Sequence, residues 1–202
     1  MARYPAPPAD PKYDQHFAAI GRVVDTWAQL EFAIDQAIWS LMHTHQMFIA
    51  CVTAQLIGTG ARHRALAALI KLHGSSEKQL GEINKFFSER YHLQIKRNRC
   101  AHDPRMIFSG SGKLERLEIT ADKSLTFDFQ PETVESLEKI RAEIADAIEQ
   151  FATMFNRIAA ELNALPDKAR PPLNQILPAK QAVVIPTTEP SVPQPPPKPS
   201  AE

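Results

Sequence analysis

Cysteine, glycine and net charge are all scarce in this chain, and each scarcity narrows what it can be. Of 202 residues only Cys51 and Cys100 are cysteine, both within apolar, helix-patterned stretches. They read as reduced packing residues of a cytoplasmic protein and not as a structural disulfide. Seven glycines and an apolar fraction of 44% fit a compact, helix-rich core. Lys and Arg number 23 and Asp and Glu number 23, so the chain has no overall basic field to hold nucleic acid nonspecifically. Any such contact must come from a local cluster. No apolar run reaches the roughly 20 residues of a membrane span, and the N-terminal residues lack the apolar segment of a signal peptide. No membrane association is expected.

Proline is plentiful but uneven. Of the 17, four fall within the first eleven residues and eleven lie between Pro166 and Pro199, leaving Pro104 and Pro131 in the interior. This divides the chain into a disordered Pro-rich N-terminus (1–12), a folded domain (13–165) and a disordered Pro-rich tail (166–202). The tail's "PSVPQPPPKPS" contains PxxP spacings. These suit either an SH3-like partner or a plain tether in polyproline II conformation.

Within the domain, Phe17, Ile20, Val24, Trp27, Ile34, Ile38 and Leu41 recur at steps of three, four and seven. They predict an amphipathic helix over 14–44. Glu31 interrupts this stripe, so it either sits at the edge and reaches water or needs a cationic or hydrogen-bonding partner. A second helical stretch is expected over 47–73, broken near Gly58-Thr59-Gly60 and closed by Gly74. Ser76 with Gln79 forms a capping box for a helix over 77–102. Asp103 precedes Pro104 and is biased away from helix, so the helix ends there. From Arg105 to Phe129 the period changes to two, with Ser-Gly-Ser-Gly and Ala-Asp-Lys-Ser as turns: a small β-meander. Pro131 and Glu132 are expected to open a last helix over 131–164, with Val134, Leu137, Ile140, Ile144, Ile148, Phe151, Phe155, Ile158 and Leu162 on its apolar face. The expected fold is mainly all-α: an antiparallel bundle of four to five helices with a small β-meander insertion (about 105–129) before the last long helix.

The third helix ends in "KRNRCAHDP". Asn98 and His102 are four apart and share a helix face, with Arg97 on the adjoining side. An Arg guanidinium offers forked donors suited to a phosphate, and an imidazole can move a proton to or from a ribose hydroxyl. Those are the parts of metal-free RNA cleavage. Cations at a helix C-terminus also simply complement the dipole.

"RNRCAH" resembles the motif of the HEPN superfamily, an Arg followed after four to six residues by His. Asn98 after the Arg and Ala101 before the His match the form of many members. "VVDTWAQLEFAIDQAI" in the first helix resembles HEPN-like families with a Trp-x-x-x-Glu element, here Trp27 and Glu31. The resemblance spans roughly Phe17 to Leu162. It implies a helical bundle that dimerises with its motifs facing across a cleft. It also implies a metal-independent RNA endonuclease without cofactors, of the kind found among toxins and phage-defence effectors, with an antitoxin as a further expected partner. Some members keep the fold as non-catalytic interaction or scaffold modules. By the resemblance His102 is the acid/base group, Arg97 holds the phosphate and Asn98 orients the site. Arg99 and Cys100 occupy variable positions. Glu31 is expected to accept from Arg62, Arg97 or Asn98, making Glu31 and Arg62 candidates to support the motif from behind.

Two other constellations are weaker. His43, His45 and Cys51 lack a second close pair with zinc-ligand spacing. "GTGARHR" lacks the Lys-Ser/Thr ending of a P-loop and follows no strand. Its Arg62 to Arg64 stretch reads as a solvated helix face or an extension of an RNA surface.

Overall fold

Two capping boxes set the ends of the helices that frame the motif. Ser76 accepts from the backbone of Gln79, whose side chain returns to Ser76, and starts the helix Glu77–His102. Thr133 and Ser136 make the same reciprocal pair for the helix Val134–Asn163. A computed structural model of the chain describes residues 11–107, 113–121 and 124–164, and the statements below concern those residues. The expected Ser-Gly-Ser-Gly turn, the middle two residues of the Ala-Asp-Lys-Ser turn and the Pro-rich tail lie outside them. So does all but the end of the Pro-rich N-terminus.

The elements are a short 3-10 turn, then α1 (Asp14–Met42), α2 (Gln46–Thr53), α3 (Gly58–Leu72) and α4 (Glu77–His102). Strands β1 (Arg105–Ile107), β2 (Leu114–Ala121) and β3 (Leu125–Pro131) follow, and α5 (Val134–Asn163) closes the domain. The strands form one antiparallel sheet in the order β1-β2-β3. A mainly helical domain with a small meander before the last helix is what the sequence predicts.

Two boundaries differ. The break in the second stretch falls at 54–57, and Gly58-Thr59-Gly60 is the first turn of α3. Gly58 enters that turn at φ 75°, a conformation open to glycine, and the Thr59 hydroxyl donates to Glu31 at 3.0 Å. Pro131 is the last residue of β3 and does not open α5. Its missing N–H costs nothing at the end of an edge strand. Glu132 is held instead by arginines of the sheet. At the end of α3, Gly74 (φ 83°) donates to Lys71 O and Ser75 to Ile70 O, the closed end that Gly74 predicts.

The directions of the long helices also differ from an antiparallel bundle. α4 opposes α5, as Gln79–Glu161, Arg157–Glu82 and Lys96–Glu143 contacts show. α1, however, runs parallel to α5, with His16 at Glu132 and Arg22 at Glu138. It also runs parallel to α3, with Thr59 at Glu31, Arg62 at Asp35 and His73 at the Leu41 carbonyl. The short α2 reverses the chain after α1, which returns α3 to the same direction.

The core is built by α1, α3, α4 and α5, centred on Phe151, Phe155, Ile34, Ile38, Ile70 and Ile83. The α5 stripe is read correctly, with Val134 and Ile140 partly buried against the core. In α1 the first turns are shifted: His16, Ala19 and Val23 are buried while Phe17 is exposed. Small Ala19, Ala33 and Ala37 carry part of the buried face, which a search for large apolar residues passes over. Cys100 is buried, but Cys51 on α2 is exposed and is no packing residue.

Replacing Thr133 by alanine removes the α5 cap and is expected to cost about 1 kcal/mol. Urea unfolding followed by circular dichroism checks this, with Ser76→Ala as a second, similar case.

Candidate active site

The last two turns of α4 carry the motif, and Asp103-Pro104 then leads directly into β1. The buried face of α4 runs through Ile83, Phe86, Leu93 and Cys100. Arg97 lies on that side, four residues after Leu93 and three before Cys100. His102 is five residues further on, so the two side chains leave the helix about 140° apart. Asn98 bridges them. Its Oδ1 accepts from Arg97 Nη1 at 3.0 Å, and it shares the His102 face. This bond draws the half-buried guanidinium round the helix toward the histidine. His102 is the exposed final residue of α4.

Around this turn the lysines and arginines among the described residues are ion-paired with one exception. Lys96 meets Glu143 at 2.8 Å. Arg99 meets Glu118 at 3.1 Å and Asp103 at 3.5 Å. Arg105 reaches Glu132 at 2.9 Å, and Arg116 lies 2.9 Å from Asp103 and 3.3 Å from Glu132. Glu132 also meets His16 at 2.9 Å. Arg97 alone, among the described residues of this region, has no carboxylate within ion-pair distance, and its buried Nε finds no acceptor. A desolvated cation without a counter-ion is costly unless something else supplies the charge. Among the described residues nothing supplies that charge to Arg97.

The paired network has a structural role. In the register of the sheet Arg105 stands opposite Arg116, and Glu118 opposite Asp128. Like charges so placed repel. Glu132 between the two arginines and Arg99 against Glu118 offset this and fasten the sheet to the end of α4. Beneath them the Cys100 thiol is pushed up by burial first and by Glu132 next, against the opposing pull of Arg105 and Arg116. It stays a protonated packing group. A groove of about 270 Å³ beside it, lined by Lys96, Arg99, Arg116 and Glu132 among others, has its charges already paired.

Glu31 and Arg62 do not join the motif. The Glu31 carboxylate sits at the edge of α1, accepts from Thr59 at 3.0 Å and lies 4.0 Å from Arg62. The expected Arg62 contact therefore exists, at its outer limit. The principal partner of Arg62 is Asp35, with Nε to Oδ1 at 2.9 Å and Nη2 to Oδ2 at 3.2 Å. Arg62 also donates to Leu56 O at 2.8 Å, closing the α2–α3 connection. Burial raises the Asp35 carboxyl, Glu31 raises it further, and the Arg62 bond and charge lower it in part. The next residue, His63, binds Asn84 and stacks on Phe87. That places the cluster beside the middle of α4, about 15 Å along the helix from Arg97. It holds α1 to α3 and touches neither Arg97, Asn98 nor His102.

Asp35 and Glu132 are the residues missed by sequence reasoning. Asp35 falls one turn after Glu31 on the same helix, a spacing that pairs two acids against one cation. The other His/Cys group resolves into local roles. His45 caps α2 by accepting from Met47 N, and His43, in the left-handed conformation at the end of α1, packs edge-on to His73. Among the described residues no three His, Cys, Asp or Glu side chains are grouped to hold a metal ion. No helix among them is long and apolar enough to cross a membrane. No protein-family model, curated protein or solved structure matches the chain.

Proposed function

We infer that the chain is a metal-independent RNA endonuclease of HEPN type, working from the end of α4. The observation that carries this is the unneutralised Arg97, turned by Asn98 toward an exposed His102 in a region whose other arginines are all paired. In the proposed reaction a ribose 2′-oxygen attacks the adjacent phosphorus and gives its proton to the imidazole. The 5′-oxygen leaves and takes up a proton, and the product ends in a cyclic phosphate. Arg97 stabilises the charge that builds on the phosphoryl oxygens.

One histidine cannot both accept the first proton and hold a second one ready. Two motifs across a two-fold axis supply both groups. A stripe on α4 fits that pairing: Tyr91 (61% exposed) and Ile95 (45% exposed) share a face with Asn98 and His102. Residues 91, 95, 98 and 102 fall within about 60° of the helix circumference. The proposed enzyme is thus a homodimer through α4. A toxin or defence setting, and an antitoxin as partner, follow from the resemblance alone.

A second reading rests on the position of Arg97 on the buried face of α4. There it serves packing, and the domain is a non-catalytic HEPN-like interaction module. Incubating the pure protein with varied RNAs in EDTA separates the two. Expected are cleavage of RNA, intact DNA of the same sequence, and cyclic-phosphate ends. Full-length RNA throughout would favour the module.

A further inference from the structure

The small sheet is mounted with its polar face inward. Arg105, Arg116, Glu118 and Thr120 point at the end of α4 and the start of α5. The alternate residues therefore face away from the bundle. Leu117 pairs with Phe129, Ile119 with Phe127 and Ala121 with Leu125, and Met106 stands beside Glu115 at the β1 edge. Exposure is 40% at Met106, 44% at Ile119, 62% at Leu125, 61% at Phe127 and 40% at Phe129. Side chains of this size, open to that extent, present roughly 500 Å² of apolar surface, high among the largest patches that monomers expose.

We propose that this face docks against the same face of a second copy of the chain. Charge is the first argument for that occupant. Within the strands Glu115 is the one ionisable group of the face, and Lys113 just before β2 continues the same alternation at its end, so neither a phosphate backbone nor a strongly charged protein meets a field of one sign. Shape is the second. Leu125, Phe127 and Phe129 form a raised row on β3, beside the lower row of Leu117, Ile119 and Ala121 on β2. A two-fold axis through the face lays each raised row over the other copy's low row, as in aligned sheet packing. Area is the third. With its polar rim the face approaches the ~800 Å² per partner of a standard interface. The ion pairs behind the sheet hold it in place beforehand, so little ordering is lost on docking.

This surface points away from α4, so it is separate from the α4 pairing proposed above. A chain using both surfaces assembles beyond a dimer.

Light scattering of the full chain tests it with two paired variants. Leu125→Glu/Phe127→Glu is expected to halve the wild-type mass while leaving the circular dichroism spectrum unchanged, because both side chains are exposed in the single chain. The milder Phe127→Ser is expected to weaken the association at least tenfold. Wild-type mass in the double variant overturns the proposal. If weaker binding of single-stranded RNA accompanies that mass, the face belongs to nucleic acid instead. Tyr91→Glu/Ile95→Glu reads the α4 pairing by itself, so either surface fails without deciding the other.

Discussion

Arg62→Met is expected to destabilise the domain by about 3 kcal/mol, the lower end for breaking a buried ion pair, and to lower the melting temperature by roughly 10 °C. Arg62 binds both oxygens of Asp35, the Leu56 carbonyl and the edge of Glu31. Methionine fills much of the volume but leaves two acids, one turn apart on α1, without their cation. The loss should depend on pH, and its sign follows from Asp35. Its native carboxyl already lies above the ordinary 3.8 because burial and Glu31 outweigh the pull of Arg62. A raised native value means that the folded chain holds the proton more tightly than the unfolded one. The resulting stabilisation is complete below the unfolded value and disappears as pH rises through the native value. Removing Arg62 deletes both lowering influences and moves the native value higher still. The variant's deficit should therefore be larger at pH 7 than at pH 5, as denaturant titrations at the two values would reveal. Asp35→Asn in the Arg62→Met background should recover most of the loss at pH 7. A deficit that is independent of pH, or that is not relieved by Asp35→Asn, would show that packing and not charge holds α1 to α3.

The same residue marks where sequence reading reaches its limit. α5 is legible because its large apolar residues keep helical spacing for 30 residues. α4 is legible at both ends, through Ser76/Gln79 and Asp103-Pro104. The first turns of α1 are not, because alanines share the buried face and the exposed Phe17 imitates a core position. Helix direction is illegible for a different reason: whether α2 reverses the chain depends on how eight residues pack, and the six between Gln46 and Thr53 are apolar without a period. In the candidate site Arg97, Asn98 and His102 sit on one helix, so their relative placement follows from helix geometry. Glu31 invited a search for a distant cation, and Arg62 is there. Its stronger tie to Asp35 depends on the parallel setting of α1 and α3, which no local pattern encodes. The reversed sheet likewise follows from Glu132, whose partners come from three separate elements.

His102→Ala is expected to reduce RNA cleavage about 10²–10⁴-fold, the usual contribution of a positioned acid or base. Folding should be unaffected, since the side chain is exposed at the last position of α4 and the backbone closure there, Asp103 N to Arg99 O at 3.1 Å, does not involve it. Arg97→Ala should impair cleavage comparably, yet its stability should contrast with that of Arg62→Met. Removing Arg62 uncovers buried acids, whereas Arg97 has no carboxylate to uncover and its Nε is already without an acceptor. Its loss is therefore expected to change unfolding free energy by no more than about 1 kcal/mol, the scale of a single hydrogen bond. Asn98→Ala frees the guanidinium from its 3.0 Å tether without removing either working group. A smaller fall, mainly in kcat, is expected from it, because the donor is misplaced when charge develops on the phosphate. Mixing His102→Ala with Arg97→Ala chains adds a test of the paired site. Each mixed dimer holds only one intact histidine, so if both histidines are needed across the α4 interface the mixture should stay as inactive as the separate variants; recovered activity would show that one histidine and one arginine suffice. Arg97→Ala that unfolds the domain while His102→Ala leaves cleavage at the wild-type rate would make the turn a packing element, and the interaction-module reading would stand.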